Sequence, residues 1–494
     1  MVQDRALTQK AIGGDLVLVL YVVGWLLVVL ALAMLVPAAV DAARGEPDWR
    51  AFLGSAGITL FFGAMLVLAC QGSHRESQVR TAFLLTSFTW LAVALFGSLP
   101  FQIGEANLSF TDAMFETMSG ITTTGSTVMV GLESTPPGLL LWRSLLQLLG
   151  GIGIVLISII ILPFLRIGGM QLFRTESSDR SAKLLPSMRT LMGRILGVYL
   201  GLVGACTVAL DMAGMDFFEA FNHACATIST GGFSTRDSSV GGFANPTVEW
   251  LITLFMIAGS LPMVRFVAVL QGRGELFLGD SQIRLFLAFV LIATAVLTGW
   301  LVVGLDRPFL EALRQAMFNA VSVMSTTGFA NTDYQLWGAP AVALFLALTI
   351  VGGCTGSTAG GIKTFRFEIL WLSARLYLTG LFLPSRVARP RYENRPVDAE
   401  VINGVLSFVF FFMGSWGLLT VVLGALGLDL ITAISGSATA LANVGPGLGP
   451  TIGPAGNFQS LSDSVKWTLT LAMLLGRLEF FTLLVLLHPA FWRR

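Results

Sequence analysis

Long apolar runs separated by short polar stretches recur from one end of this chain to the other. Ten of them approach the roughly 20 residues that a helix needs to cross about 30 Å of hydrocarbon. They are Leu16–Val40, Ala51–Ala69, Ala82–Leu99, Leu139–Leu165, Ile195–Met212, Trp250–Leu270, Ile283–Leu305, Ala341–Leu372, Val401–Leu426 and Val465–Leu487. The pattern predicts an all-α polytopic membrane protein. The first run follows a charged start (Asp4, Arg5, Lys10) and has no small-residue cleavage site behind a short apolar core. It therefore reads as a retained helix and not as a signal peptide.

Between pairs of runs lie four segments too short and too polar to cross a bilayer. Aligned, they are Phe115–Gly125, Phe221–Gly231, Phe318–Gly328 and Ser435–Gly445, each a helix-like stretch that runs into Gly, Thr, Ser or Asn. Their closing glycines stand 106, 97 and 117 residues apart. A period of that size holds one span, one re-entrant element and another span, and internal repetition dictates architecture. Non-helical backbone at membrane depth survives only where protein buries it or water lines it. The sequence thus predicts four pseudo-repeated units of span, pore helix, filter loop and span around a central pore, after an N-terminal two-helix hairpin. The expected divisions are 1–76 for the accessory hairpin, then repeats at 77–180, 181–275, 276–395 and 396–494.

Composition agrees with a bilayer as solvent. Of 494 residues, 54% are hydrophobic and 12% charged, and mean hydropathy is +0.78; a soluble domain carries roughly 25% charged residues. A net charge of +1 implies no nucleic-acid partner. The distribution of charge says more. Arg166, Arg174, Arg180, Lys183, Arg189 and Arg194 share one connection, and Arg375, Arg386, Arg389, Arg391 and Arg395 another. Under the positive-inside rule both are cytoplasmic, and threading ten spans from there places both termini inside. Cys70, Cys206, Cys225 and Cys354 lack CxxC spacing and read as packing residues. With no metal-spaced cluster, no nucleophile motif and three histidines, no catalytic residue is assigned and an enzyme is disfavoured.

The triplets Thr123-Thr124-Gly125, Ser229-Thr230-Gly231, Thr326-Thr327-Gly328 and Asn443-Val444-Gly445 suit dehydration of a cation, which needs a ring of carbonyl oxygens aimed at the ion. One such run alone would read as a turn; four copies at one spacing argue for a shared site. A second constellation is Gly352-Gly353-Cys354-Thr355-Gly356-Ser357-Thr358-Ala359-Gly360-Gly361-Ile362-Lys363, inside the third repeat's second span. So many glycines cannot hold a helix interior. The segment is either a gate beneath the filter or a packing surface of small residues. Third, Arg477 sits inside the last apolar run with Glu479 two residues on. Intramembrane charge faces a cavity or a partner, so Arg477 either projects into the pore or pairs with an acidic neighbour. Glu116 and His223, near the starts of two short helices, are expected to hydrogen-bond to the loop behind the filter.

These residues bring out a resemblance. The chain resembles the membrane subunit of the Trk/Ktr/HKT superfamily of K⁺ transporters, of the TrkH/TrkG type, over essentially its whole length. The most specific elements are Gly352–Lys363, the run Leu141–Val155, the Phe221–Phe233 loop and Gly476-Arg477-Leu478-Glu479. The resemblance implies K⁺ uptake across a bacterial inner membrane through a filter of the four loops, with K⁺ held at those residues. It implies that Gly352–Lys363 is an intramembrane gate and that Arg477 is the pore charge. It also implies a homodimer, a TrkA-like cytosolic nucleotide-binding regulatory ring as partner, and no bound cofactor beyond K⁺ as the transported ion. Coupled symport remains open. A glycine in all four filter positions favours K⁺ over Na⁺ within that superfamily. The fourth loop departs from the others, with Asn443-Val444 in place of hydroxyl residues. The alternative from the residues alone is a secondary transporter of another solute, since broken helices at mid-membrane also serve that class.

Overall fold

The computed structural model describes residues 2–72, 79–160, 184–383, 390–392 and 395–493. The basic positions Arg166, Arg174, Arg180, Lys183, Arg386 and Arg389 lie outside the described residues. The chain opens with α1 (Val2–Arg44), α2 (Trp49–Ala69) and α3 (Val79–Gly97), followed by the short α4 (Phe110–Ile121) and the long α5 (Pro137–Ile160). Next come α6 (Leu184–Met212), α7 (Phe217–Ile228), α8 (Pro246–Gly259) and α9 (Met263–Leu270). The third set is α10 (Ser281–Leu305), α11 (Phe309–Met324), α12 (Ala339–Ile350) and α13 (Thr364–Phe382). The last is α14 (Ala399–Ala425), α15 (Leu430–Ala442), α16 (Asp463–Arg477) and α17 (Phe481–Leu487). Among the described residues, a two-residue β pairing (Arg391 with Pro396, Tyr392 with Arg395) and a single parallel bridge between Val351 and Ile362 are minor departures from helix.

The ten apolar runs are not ten intact helices. Seven form single helices long and apolar enough to cross a membrane. Two bend sharply, α8 to α9 by 95° and α16 to α17 by 110°, and one is interrupted by the glycine-rich segment between α12 and α13. At the first bend the cause is local: Pro262 lacks an N–H and disfavours helix at the residue before it. At the second, Glu479 and Phe480 take left-handed φ of 59° and 53°, although neither residue type breaks helices.

The burial pattern is that of a protein dissolved in lipid. Leu32, Phe61, Leu68, Leu291, Val303 and Phe410 are exposed on the outer helices. The four short helices are enclosed instead, and in α4 every residue from Ala113 to Ile121 is buried. Side-chain caps start three of them. Ser109 Oγ accepts from Asp112 N at 3.1 Å, Asp216 from Phe218 N at 3.0 Å and Asp429 from Thr432 N at 3.1 Å. Each cap satisfies one otherwise orphaned helix donor.

Candidate functional site

The short helices end alike. Thr122, Ser229 and Ser325 close α4, α7 and α11 in near-helical geometry. The next residues, Thr123, Thr230 and Thr326, turn left-handed with φ of 51°, 53° and 59°, and Asn443 does the same after α15 with φ of 55°. Two residues further on come Gly125, Gly232, Gly328 and Gly445, with φ of 89°, 75°, 81° and 116°. The second loop is therefore Thr230-Gly231-Gly232, and the expected Ser229-Thr230-Gly231 register is corrected by one residue. Two glycines stand side by side there, and only the backbone conformation distinguishes the left-handed one. The correction also brings Glu116 and His223 to equivalent positions.

The four loops meet in a ring. A Cβ built on Gly125 would strike the carbonyl oxygen of Gly231, one on Gly232 that of Thr327, and one on Gly328 that of Val444. A Cβ on Gly445 would lie 2.8 Å from the carbonyl oxygen of Thr124, which closes the circuit in chain order. Positive φ and this backbone-to-backbone approach together require glycine. Hydroxyls stiffen two quadrants, with Thr122 paired to Thr124 and Ser325 to Thr327, both at 2.7 Å. In the fourth quadrant Asn443 Nδ2 donates to Thr124 Oγ1 at 3.0 Å and to the Met473 carbonyl at 2.9 Å.

Behind the ring, one position in each of α4, α7 and α11 ties helix to loop. Glu116 accepts from Val128 N at 2.9 Å and from Arg143 Nε at 2.8 Å. His223 Nε2 pairs with Ser234 Oγ at 2.9 Å, and Asn319 Nδ2 donates to Asn331 Oδ1 at 2.6 Å. Glu116 and His223 thus take the supporting role that their positions suggested. Arg143, which reading by residue type did not single out, also donates to the Ser234 carbonyl at 2.8 Å and stacks 4.1 Å from the Phe233 ring centroid.

The glycine-rich segment lies against these loops. Gly360 N donates to Thr326 Oγ1 at 2.6 Å, and Thr230 Oγ1 donates to Thr358 Oγ1 at 3.3 Å. Thr358 Oγ1 reaches the carbonyls of Ile228 and Gly259, each at 2.9 Å. Cys354 N donates to the Ser260 carbonyl at 2.9 Å, and Met263 N to that of Gly356 at 3.0 Å, so the segment fills the break between α8 and α9. Lys363 Nζ donates back to the Ala359 carbonyl.

Arg477 closes α16 and is 3% exposed. Its Nη1 donates to the Thr358 carbonyl at 3.1 Å, while Nε and Nη2 have no protein partner. The acidic neighbour in sequence is used elsewhere: Glu479 pairs with Arg366, whose guanidinium lies 3.6 Å from the Phe408 ring centroid. Pairing of Arg477 with Glu479 is therefore not found. Arg366 went unnoticed in the sequence, although it follows the glycine-rich run by three positions. The four cysteines are buried and free. Among the described residues no group of three His, Cys, Asp or Glu side chains would hold a metal ion.

A family model described as "TrkH: Cation transport protein" matches residues 50–494. The chain belongs to the TrkH family. It is 44% identical over 477 residues to the Trk system potassium uptake protein TrkI of Halomonas elongata, covering 96% of this chain and 97% of that one. It is 35% identical over 478 residues to the Trk system potassium uptake protein TrkH of Escherichia coli K12, covering 96% and 98%. The crystal structure of the potassium transporter TrkH from Vibrio parahaemolyticus matches with a TM-score of 0.88 at 33% identity, covering 96% and 99%. The all-helical, many-span architecture is thus that of the TrkH family.

Proposed function

We propose that this TrkH-family protein carries K⁺ into the cell across a bacterial inner membrane, through the ring formed by Thr123-Thr124-Gly125, Thr230-Gly231-Gly232, Thr326-Thr327-Gly328 and Asn443-Val444-Gly445. The observation that carries this reading is the closed backbone-to-backbone circuit of the four loops. Carbonyl oxygens replace the hydration shell of a monovalent cation without a side-chain charge that would bind it too tightly. Each loop also follows a helix C-terminus, whose partial negative charge favours a cation nearby. Relatives named as potassium uptake proteins make K⁺ the ion of choice. The reading assigns no covalent chemistry to the chain.

Gly125→Ser tests it. The added side chain must shift the Gly231 carbonyl or abandon the left-handed φ, so one quadrant loses its geometry and discrimination of K⁺ from Na⁺ is expected to fall. Fluxes of both ions into liposomes give the answer, and an unchanged ratio removes these loops as the filter.

Gly352–Lys363 serves in this reading as the gate, because it crosses from the break between α8 and α9 to three of the four loops. A TrkA-like nucleotide-binding ring would act on it from the cytosolic side, where Arg189, Arg194 and Arg375 are exposed. As the resemblance implies, two copies of the chain would sit on that ring. Deleting Ser357–Gly360 is expected to raise K⁺ flux in the absence of the ring. A variant that assembles normally and conducts no faster would leave the segment as packing only.

A further inference from the structure

One quadrant of the ring is built differently from the rest. At the middle position of each loop stand Thr124, Gly231, Thr327 and Val444, so three are β-branched and one has no side chain. Gly231 is not glycine for the sake of its backbone, since its φ is not positive. The space is the reason. A Cβ on Gly231 would lie 2.6 Å from Oε1 and 2.7 Å from Nε2 of Gln147, a fully buried residue of α5 in the preceding repeat. Gln147 Nε2 donates to the Gly231 carbonyl at 2.6 Å, and its Oε1 accepts from Phe233 N at 3.2 Å. A carbonyl only accepts and an amide N–H only donates, so the two bonds together set which way the Gln147 amide faces.

We propose that Gln147 is a positioning residue for the ring. Its side chain supplies from the first repeat the volume and the hydrogen bond that Thr124 and Thr327 supply within their own loops. It thereby fixes the Gly231 carbonyl, the same oxygen that a Cβ on Gly125 would strike. Ser229 lacks the hydroxyl pairing that Thr122 and Ser325 make, so Gln147 joins the Thr230 to Thr358 bond in supporting this quadrant. The inference rests on the filter reading above.

The test measures K⁺ and Na⁺ flux in liposomes holding the full chain. Gln147→Leu keeps the bulk and removes the hydrogen bonds, and is expected to lower the K⁺ to Na⁺ ratio roughly two- to tenfold, as the loss of one buried hydrogen bond would. Gly231→Ala alone should lose K⁺ flux by crowding Gln147, and Gln147→Ala/Gly231→Ala should regain much of it, because the second change vacates the space that the first fills. Such repair would show that the two side chains compete for one space; the K⁺ to Na⁺ ratio, which a purely structural role would leave unmoved, reports the positioning. The inference is overturned if Gln147→Leu keeps the parent ratio while Gly125→Ser lowers it, or if the double variant conducts no better than Gly231→Ala. Should Gly125→Ser also leave the ratio unchanged, the filter reading falls and takes this inference with it. If Gln147→Leu fails to fold, the ion ratio of the double variant decides, since that variant relieves the crowding but lacks both Gln147 hydrogen bonds: a lowered K⁺ to Na⁺ ratio supports the inference and a parent ratio overturns it.

Discussion

Glu479→Ala is expected to lower the unfolding free energy of the detergent-solubilised protein by about 3–5 kcal/mol, the typical cost of removing one partner from a buried ion pair. Arg366 is 0% exposed, pairs with the Glu479 carboxylate and stacks over Phe408. Without the carboxylate its charge stays in a low-dielectric interior with its main compensation gone. The pair also joins α13, which leaves the glycine-rich segment, to the 110° break between α16 and α17. At that break two residues hold left-handed φ with no glycine to make it easy. Glu479→Gln retains an acceptor but not the charge, and its loss should fall between those of the parent and the alanine variant. Thermal unfolding of the three proteins checks the order. Equal stability would mean that the break is held by other contacts.

Arg477→Ala should lower the K⁺ concentration that half-saturates flux by roughly tenfold while leaving the K⁺ to Na⁺ ratio intact. A fixed charge roughly 4 Å from an ion opposes it by about 4 kcal/mol at an effective dielectric near 20, and by about half that at twice the distance. About 1.4 kcal/mol corresponds to a tenfold change in affinity, so even the longer separation suffices. The prediction is motivated by the buried guanidinium, with one nitrogen on the Thr358 carbonyl and two nitrogens that no protein atom satisfies. In the proposed reading selection resides in the ring of loops, which the substitution leaves in place. Flux measured across a K⁺ series in liposomes separates the two quantities. Parent-like flux with parent-like half-saturation would show that the guanidinium does not face the ion path.

The sequence by itself determined what local chemistry determines. Apolar length marks the spans, because hydrocarbon tolerates little else, and Pro262 marks the first bend, because its ring cannot continue a helix. Glycine recurs in the four loops because the left-handed conformation at Gly125, Gly328 and Gly445 admits little else. The tertiary structure decided whatever depends on groups far apart in the chain. Gly231 and Gly232 are the same residue type; in the folded chain the first is crowded by Gln147 from another repeat and the second is the left-handed member. Leu478, Glu479 and Phe480 read as helix, yet the chain turns there, where Glu479 meets an arginine 113 positions earlier. Arg477 binds a carbonyl 119 positions away and leaves the carboxylate two residues on to another partner. Hydropathy and spacing record what a residue prefers next to its neighbours. Which loop meets which is settled by the four repeats closing on one another.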